Sequence, residues 1–247
     1  SKECIDLFTK VVILIMSFIV TFTTTFGLNF VAPEEEANEV KNVIILIGDG
    51  MGFNTVEATK KLRNVDVSME TMPVLCESET RSLTNKVTDS AAGGTALACG
   101  IRTYNGGIGV YAFNPFANKW QYPVSLSELA IEMGKSAGVV TTDETSGATP
   151  AAFSAHAIAR SEEKNISYDQ MSSDLTLIWG CASESVTDAK CEENGFDYFT
   201  TATEMEALEP GTRSFGQFDW GDTANFTNNC DTPRIDAMTE KAIEILD

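Results

Sequence analysis

The chain of 247 residues carries 36 acidic against 17 basic side chains, a formal charge of −19. That balance excludes nucleic acid as a partner, because phosphate contacts need clustered Lys and Arg, and it suits an exported or salt-adapted protein. The length suffices for one large domain or two small ones, and a single histidine, His156, restricts any chemistry that needs imidazole.

In chain order, Lys2 and Lys10 precede a charge-free run over residues 11–32 whose apolar core fades into Thr21 to Thr25. A basic flank, a short apolar core and a threonine-rich fade make a secretory signal peptide. The alternative is a membrane anchor, since such a run can span about 30 Å as a helix. Both readings place the protein outside the cytoplasm: periplasmic, cell-surface or secreted. Residues 33–40, PEEEANEV, follow as a polar linker.

NVIILI, residues 42–47, is a continuous β-branched run, the pattern of a strand buried on both faces. GDGMG, 48–52, turns the chain into a helix over FNTVEATKKLR. ETRSLT, 79–84, is a second strand candidate, and VTDSAAGGTALACG, 87–100, opens a helix at Ser90. SLSELAIEMG, 125–134, is a helix with a capping box from Ser125 to Glu128 and a stop at Gly134. AGVVTT, 137–142, is a buried strand. TPAAFSAHAIAR, 149–160, reads as a helix with Thr149 as cap and Pro150 at its first position. LTLIWG, FDYFTT and RSFGQF continue the strands, with a short TEMEAL helix among them. TPRIDAMTEKAIEILD closes the chain as a helix capped by Thr232 and Pro233, with Ile235, Met238, Ala242, Ile243 and Leu246 on one face. Alternating strands and helices predict an α/β fold with a mainly parallel central sheet and helices on both faces. Sites in such sheets form at the carboxyl ends of strands, where Asp49, the Asp89–Ser90 pair and Thr149 all fall.

Cys4 lies in the leader. Of Cys76, Cys99, Cys181, Cys191 and Cys230, the close, polar-flanked pair Cys181 and Cys191 is the best candidate for a loop disulfide. Cys99, on an alanine-rich helix, reads as a buried thiol.

Asp49 sits in a glycine-flanked turn, either as a carboxylate offered to divalent ions or as an ordinary Asp-Gly turn. Ser90, at a helix N-terminus that favours anions, is either a simple cap or a nucleophile, which then needs a base or a metal to take its proton. The residues after it, 91–94, are Ala and Gly. Glycine inside a helix costs about 1 kcal/mol each, a cost expected where something bulky must approach the backbone.

NVIILIGDGMG, VTDSAAGGTALACG and GATPAAFSAHAIAR resemble the successive site motifs of the alkaline phosphatase family, from about Lys41 to the end of the chain. The middle motif is specific; GDGMG alone is shared with related phosphomutases and phosphodiesterases. The resemblance implies hydrolysis of phosphate monoesters through a phosphoserine at Ser90, with two zinc ions and one magnesium. It makes Asp49 and Thr149 metal ligands, Arg160 a bidentate phosphate ligand and Asp89 the residue that orients that arginine. On this reading the small residues after Ser90 make room for the phosphoryl group, one zinc lowers the serine pKa and the other steadies the leaving oxygen. The resemblance also implies a homodimer. Two departures stand out. Gly147 occupies a position where family members carry Asp or His in support of magnesium. The family's zinc ligands follow the segment that TEKAIEIL resembles, and zinc needs three or four protein ligands per site. Residues 41–247 are therefore expected to be the N-terminal portion of an alkaline phosphatase-like catalytic domain, incomplete at its C-terminus and inactive alone. Competing readings are a phosphodiesterase or phosphonate hydrolase of the same superfamily, and a non-catalytic exported anion-binding protein.

Overall fold

The computed structural model describes residues 40–219 and 231–247. The expected leader, all but Val40 of the expected linker, and Cys4 and Cys230 lie outside the described residues. Among the described residues, no helix is long and apolar enough to cross a membrane. The chain divides into a first unit ending at Ile47 and a main unit from Gly48 to Asp247.

The main unit is built on β1 (Gly138–Glu144), β2 (Leu177–Cys181), β3 (Asp197–Phe199) and β4 (Ser214–Phe218), all parallel in the order β1-β2-β4-β3. Its helices are α1 (Phe53–Arg63), α2 (Ser90–Cys99), α3 (Leu126–Glu132), α4 (Ala148–Ser154), α5 (Glu163–Ser172), α6 (Asp188–Glu193), α7 (Ala202–Glu206) and α8 (Ile235–Leu246). The two central strands are buried throughout, as a sheet covered on both faces requires. Alternation along them sorts the core. Leu177, Trp179 and Phe218 join Phe199, Met205, Met238 and Ile245 on the α7–α8 face. Ile178 and Phe215 join Met171, Leu175, Cys191 and Phe196 on the α5–α6 face. Edge-on ring pairs, Trp179–Phe199 at 5.5 Å and Phe196–Phe215 at 5.6 Å, fill the two layers. A third cluster packs Ala91 and Ala98 of α2 against Ala148, Ala151 and Ala152 of α4.

Several expectations are corrected. Residues 42–47 form no strand, and their apolar side chains are exposed; a parallel strand needs a ladder neighbour, and none of the described strands pairs with it. Residues 79–84 form no strand: the chain bends at Leu83 and Thr84, where Ser82 Oγ accepts from Asn85 N–H and Ser82 N–H donates to the Asn85 carbonyl. The helix expected over 149–160 is capped by Gly147 and stops at Ser154. Ala155 is extended (φ −160°, ψ 169°), and Ala157 pairs antiparallel with Ile108. In α8 the cap is Arg234, and Ile245 takes the buried place expected of Ile243, which is 45% exposed.

No disulfide joins Cys181 to Cys191. The reason is geometric. Cys181 follows Leu177 and Trp179 in the β2 alternation and so belongs to the α7–α8 face, while Cys191 packs in the cluster on the opposite face. Cys181 Sγ donates to the Thr142 carbonyl, and burial pushes the Cys191 thiol up to about 12.

Candidate active site

Asp89 caps α2: its Oδ1 accepts from Ala92 N–H at 3.0 Å. The first-turn N–H groups of a helix have no intrahelical acceptor, so Ser90 stands where backbone donors and the helix dipole favour negative charge. The small residues of α2 also serve a neighbouring helix. Ala91, Ala92, Gly94 and Ala98 are buried, and a Cβ on Gly94 would lie 3.1 Å from Ala152 Cβ and 3.3 Å from Thr149 Cα. Their size lets α4 approach α2, which brings Ser90 and Thr149 to one point.

Asp49 stands at that point. Ser90 Oγ donates to Asp49 Oδ1 at 3.0 Å, and Thr149 Oγ1 donates to Asp49 Oδ2 at 2.7 Å. Three residues separated by 41 and 100 positions in the chain thus meet through one carboxylate, in a turn opened by Gly50 at φ +67°. Thr149 is fixed from below by a buried polar network. Gln170 Nε2 donates to the Thr145 carbonyl and Ser154 Oγ, Gln217 Nε2 donates to Thr145 Oγ1, and Ser146 N–H donates to Ser183 Oγ. These bonds hold the turn between β1 and α4 in one shape.

Arg160 reaches the same cluster through extended chain. Its N–H donates to the Gly106 carbonyl at 2.7 Å, and Nη1 lies 3.5 Å from Asp89 Oδ2. Asp89 Oδ2 also accepts from Gly106 N–H at 3.0 Å. The Arg160 side chain is 47% exposed and its contact with Asp89 is long, so the pair adds little to the stability of the fold. Sequence reasoning passed over Asn105, whose Oδ1 accepts from Asp89 N–H and whose Nδ2 donates to the Val87 carbonyl; an Asn-Gly pair reads as a turn and gives no sign of its long-range partner. Asp143 is the other omission. A Cβ on Gly147 would lie 2.2 Å from Asp143 Oδ2 and 2.8 Å from the Glu144 carbonyl. The carboxylate of Asp143 fills the space that a side chain at 147 would take.

The oxygens of Asp49, Thr149 and Ser90 are hard donors of the kind magnesium takes. Zinc asks for more. Among the described residues no three His, Cys, Asp or Glu side chains gather to hold a metal, and the His156 ring faces Gly109 and Glu128. The described residues bring one carboxylate and two hydroxyls together and complete no metal site by themselves.

Fold and site together define a parallel α/β protein with a helix-terminal serine facing a carboxylate. The chain belongs to the alkaline phosphatase family, whose model matches residues 40–180. Alkaline phosphatase 4 of Bacillus subtilis is 31% identical over 239 residues, which cover 87% of this chain and 50% of the relative. The tissue-nonspecific alkaline phosphatase of Felis catus is 35% identical over 136 residues, covering 50% of this chain and 26% of that protein. The solved alkaline phosphatase of the Antarctic bacterium TAB5 superposes with a TM-score of 0.65 at 30% identity, covering 83% of this chain and 60% of its own. The chain spans about half the length of the Bacillus relative.

Proposed function

We propose that the enzyme to which these residues belong hydrolyses phosphate monoesters through a phosphoserine at Ser90. The observation that carries this reading is the meeting of Ser90 Oγ and Thr149 Oγ1 on the two oxygens of Asp49. Asp49 Oδ1 holds the serine proton, which leaves an oxygen lone pair free to face an incoming phosphorus. The α2 N-terminus and the Arg160 fork take the charge of the non-bridging phosphate oxygens, and Asp89 keeps that fork in place. Asp49 and Thr149 would hold magnesium, which when bound supplies Lewis-acid charge beside the phosphate. Two zinc ions, implied by family resemblance, require ligands beyond the described residues, so no step is assigned to them. The leader pattern supports export, and the resemblance supports a homodimer.

The site reading is tested by titrating the 247-residue chain with inorganic phosphate in the presence of magnesium. Arg160→Ala is expected to weaken binding about tenfold or more, the loss of roughly one charged hydrogen bond; equal affinities would sink the assignment. With its ligand set short of a zinc site, the same chain is expected to show no zinc-dependent turnover of p-nitrophenyl phosphate. Turnover that Ser90→Ala abolishes would overturn that expectation and establish the nucleophile at once.

A further inference from the structure

His156 is the only histidine of the chain, and the site above makes no use of it. Its ring lies between two acceptors. Nδ1 is 2.6 Å from the Gly109 carbonyl oxygen, and Nε2 is 3.1 Å from Glu128 Oε1. A carbonyl can only accept. Burial alone would push the Glu128 carboxyl up, but the Ser125 backbone N–H and the His156 ring outweigh it and hold the group below the ordinary glutamate value. Glu128 is therefore a carboxylate and also accepts. The imidazole ring thus bridges a backbone carbonyl and a carboxylate.

The other groups facing this residue are acidic or aromatic. The Tyr122 ring lies 5.5 Å away, tilted by 53°. Asp169 of α5 accepts from the His156 backbone N–H at 2.7 Å. The adjoining cavity, about 360 Å³, is lined by Glu128, Glu132, Asp169 and Asp174 and by no Lys or Arg.

The backbone around His156 forms a short seam. Ile108 and Ala157 exchange two hydrogen bonds at 3.0 and 2.9 Å, Tyr104 Oη donates to the Ile158 carbonyl at 2.6 Å, and Arg160 N–H donates to Gly106. His156 closes one end of this seam, and Asp89, through Gly106 and Arg160, closes the other. We propose that His156 is a positioning residue: its ring, held between Gly109 and Glu128, pins the seam that sets Arg160 beside Asp89. Removing the ring breaks both contacts and loosens the seam. The link to phosphate rests on the reading of Arg160 given above; the clasp itself does not.

In the 247-residue chain, amide exchange at Ala157 and Arg160 reports the seam. His156→Ala removes both ring contacts and is expected to speed exchange at these two amides about tenfold at fixed pH while the amides of β4 keep their protection. Glu128→Gln keeps an oxygen to accept from Ser125 N–H but turns an amide N–H₂ toward Nε2, and is expected to speed the same two amides by a smaller factor. Unchanged exchange at Ala157 and Arg160 in His156→Ala overturns the proposal, as does a rise that is equally large in β4. Neither readout uses phosphate, so failure of phosphate binding would strike the site reading alone.

Discussion

Asp89 performs three tasks at once: it caps α2, accepts from Gly106 N–H and faces Arg160. Asp89→Ala is expected to cost about 1–2 kcal/mol, chiefly through the lost cap, and to lower Tm by roughly 2–8 °C for a chain of this size. An unchanged melt would contradict the bonding described. Glu144 gives a prediction of opposite sign. Burial first, then the charges of Glu163, Asp143 and Glu184, raise its carboxyl above 4.5. A carboxyl raised on folding favours the fold when protonated, so Glu144→Gln is expected to raise Tm at neutral pH, with the gain shrinking as pH falls through the raised value. Glu128, held low, behaves the other way: its contribution is present above the ordinary glutamate value and is lost as pH falls through the lowered one. Among the thiols, exposed Cys76 is expected to react with a disulfide reagent under native conditions while Cys191 stays protected until unfolding. Motifs singled out Asp49, Ser90 and Thr149, and the fold brings these three together. Asp143 and Asn105 were not, because their roles depend on close approaches that the backbone makes only when folded.

At the scale of elements, α2 and α4 show why small side chains matter. Gly94→Val would drive branched carbons into Ala152 Cβ and the Thr149 backbone, at a cost of about 1–3 kcal/mol for overpacking. It should also part Ser90 from Thr149, so magnesium-dependent phosphate binding is expected to fall with stability; a variant that melts early but binds phosphate normally would separate the two effects. The capping box of α3 was readable from Ser125 and Glu128 and is present as expected. The break at Ser154 was not readable, since Ala155–Ala157–Ile158 continues a helix-compatible pattern. What ends the helix is the pairing of Ala157 with Ile108, a partner 49 positions away. Strand candidates divide in the same manner. LTLIWG and RSFGQF supply strands, whereas the more apolar NVIILI forms none. Apolar periodicity reports what a segment can bury, not whether a partner is there.

For the molecule as a whole, a net charge of −19 implies self-repulsion in the folded state. Shortening the Debye length to about 8 Å with salt is expected to raise Tm, and a fall would point to attractive pairs outweighing the excess charge. The parallel α/β class was legible because βα alternation survives any uncertainty at element ends. The order β1-β2-β4-β3 was not, since nothing local in a strand states which strand lies beside it. Among the described strands, that order leaves β1 hydrogen-bonded on one side only. Near its end, Thr141 Oγ1 and Asp143 Oδ1 accept from the backbone N–H groups of Asp143 and Glu144, and the two acidic side chains discourage a visiting strand. Residues 138–140 carry no such guard. A strand laid beside β1 would thus meet its backbone at 138–140 before the crowded end at 141–144.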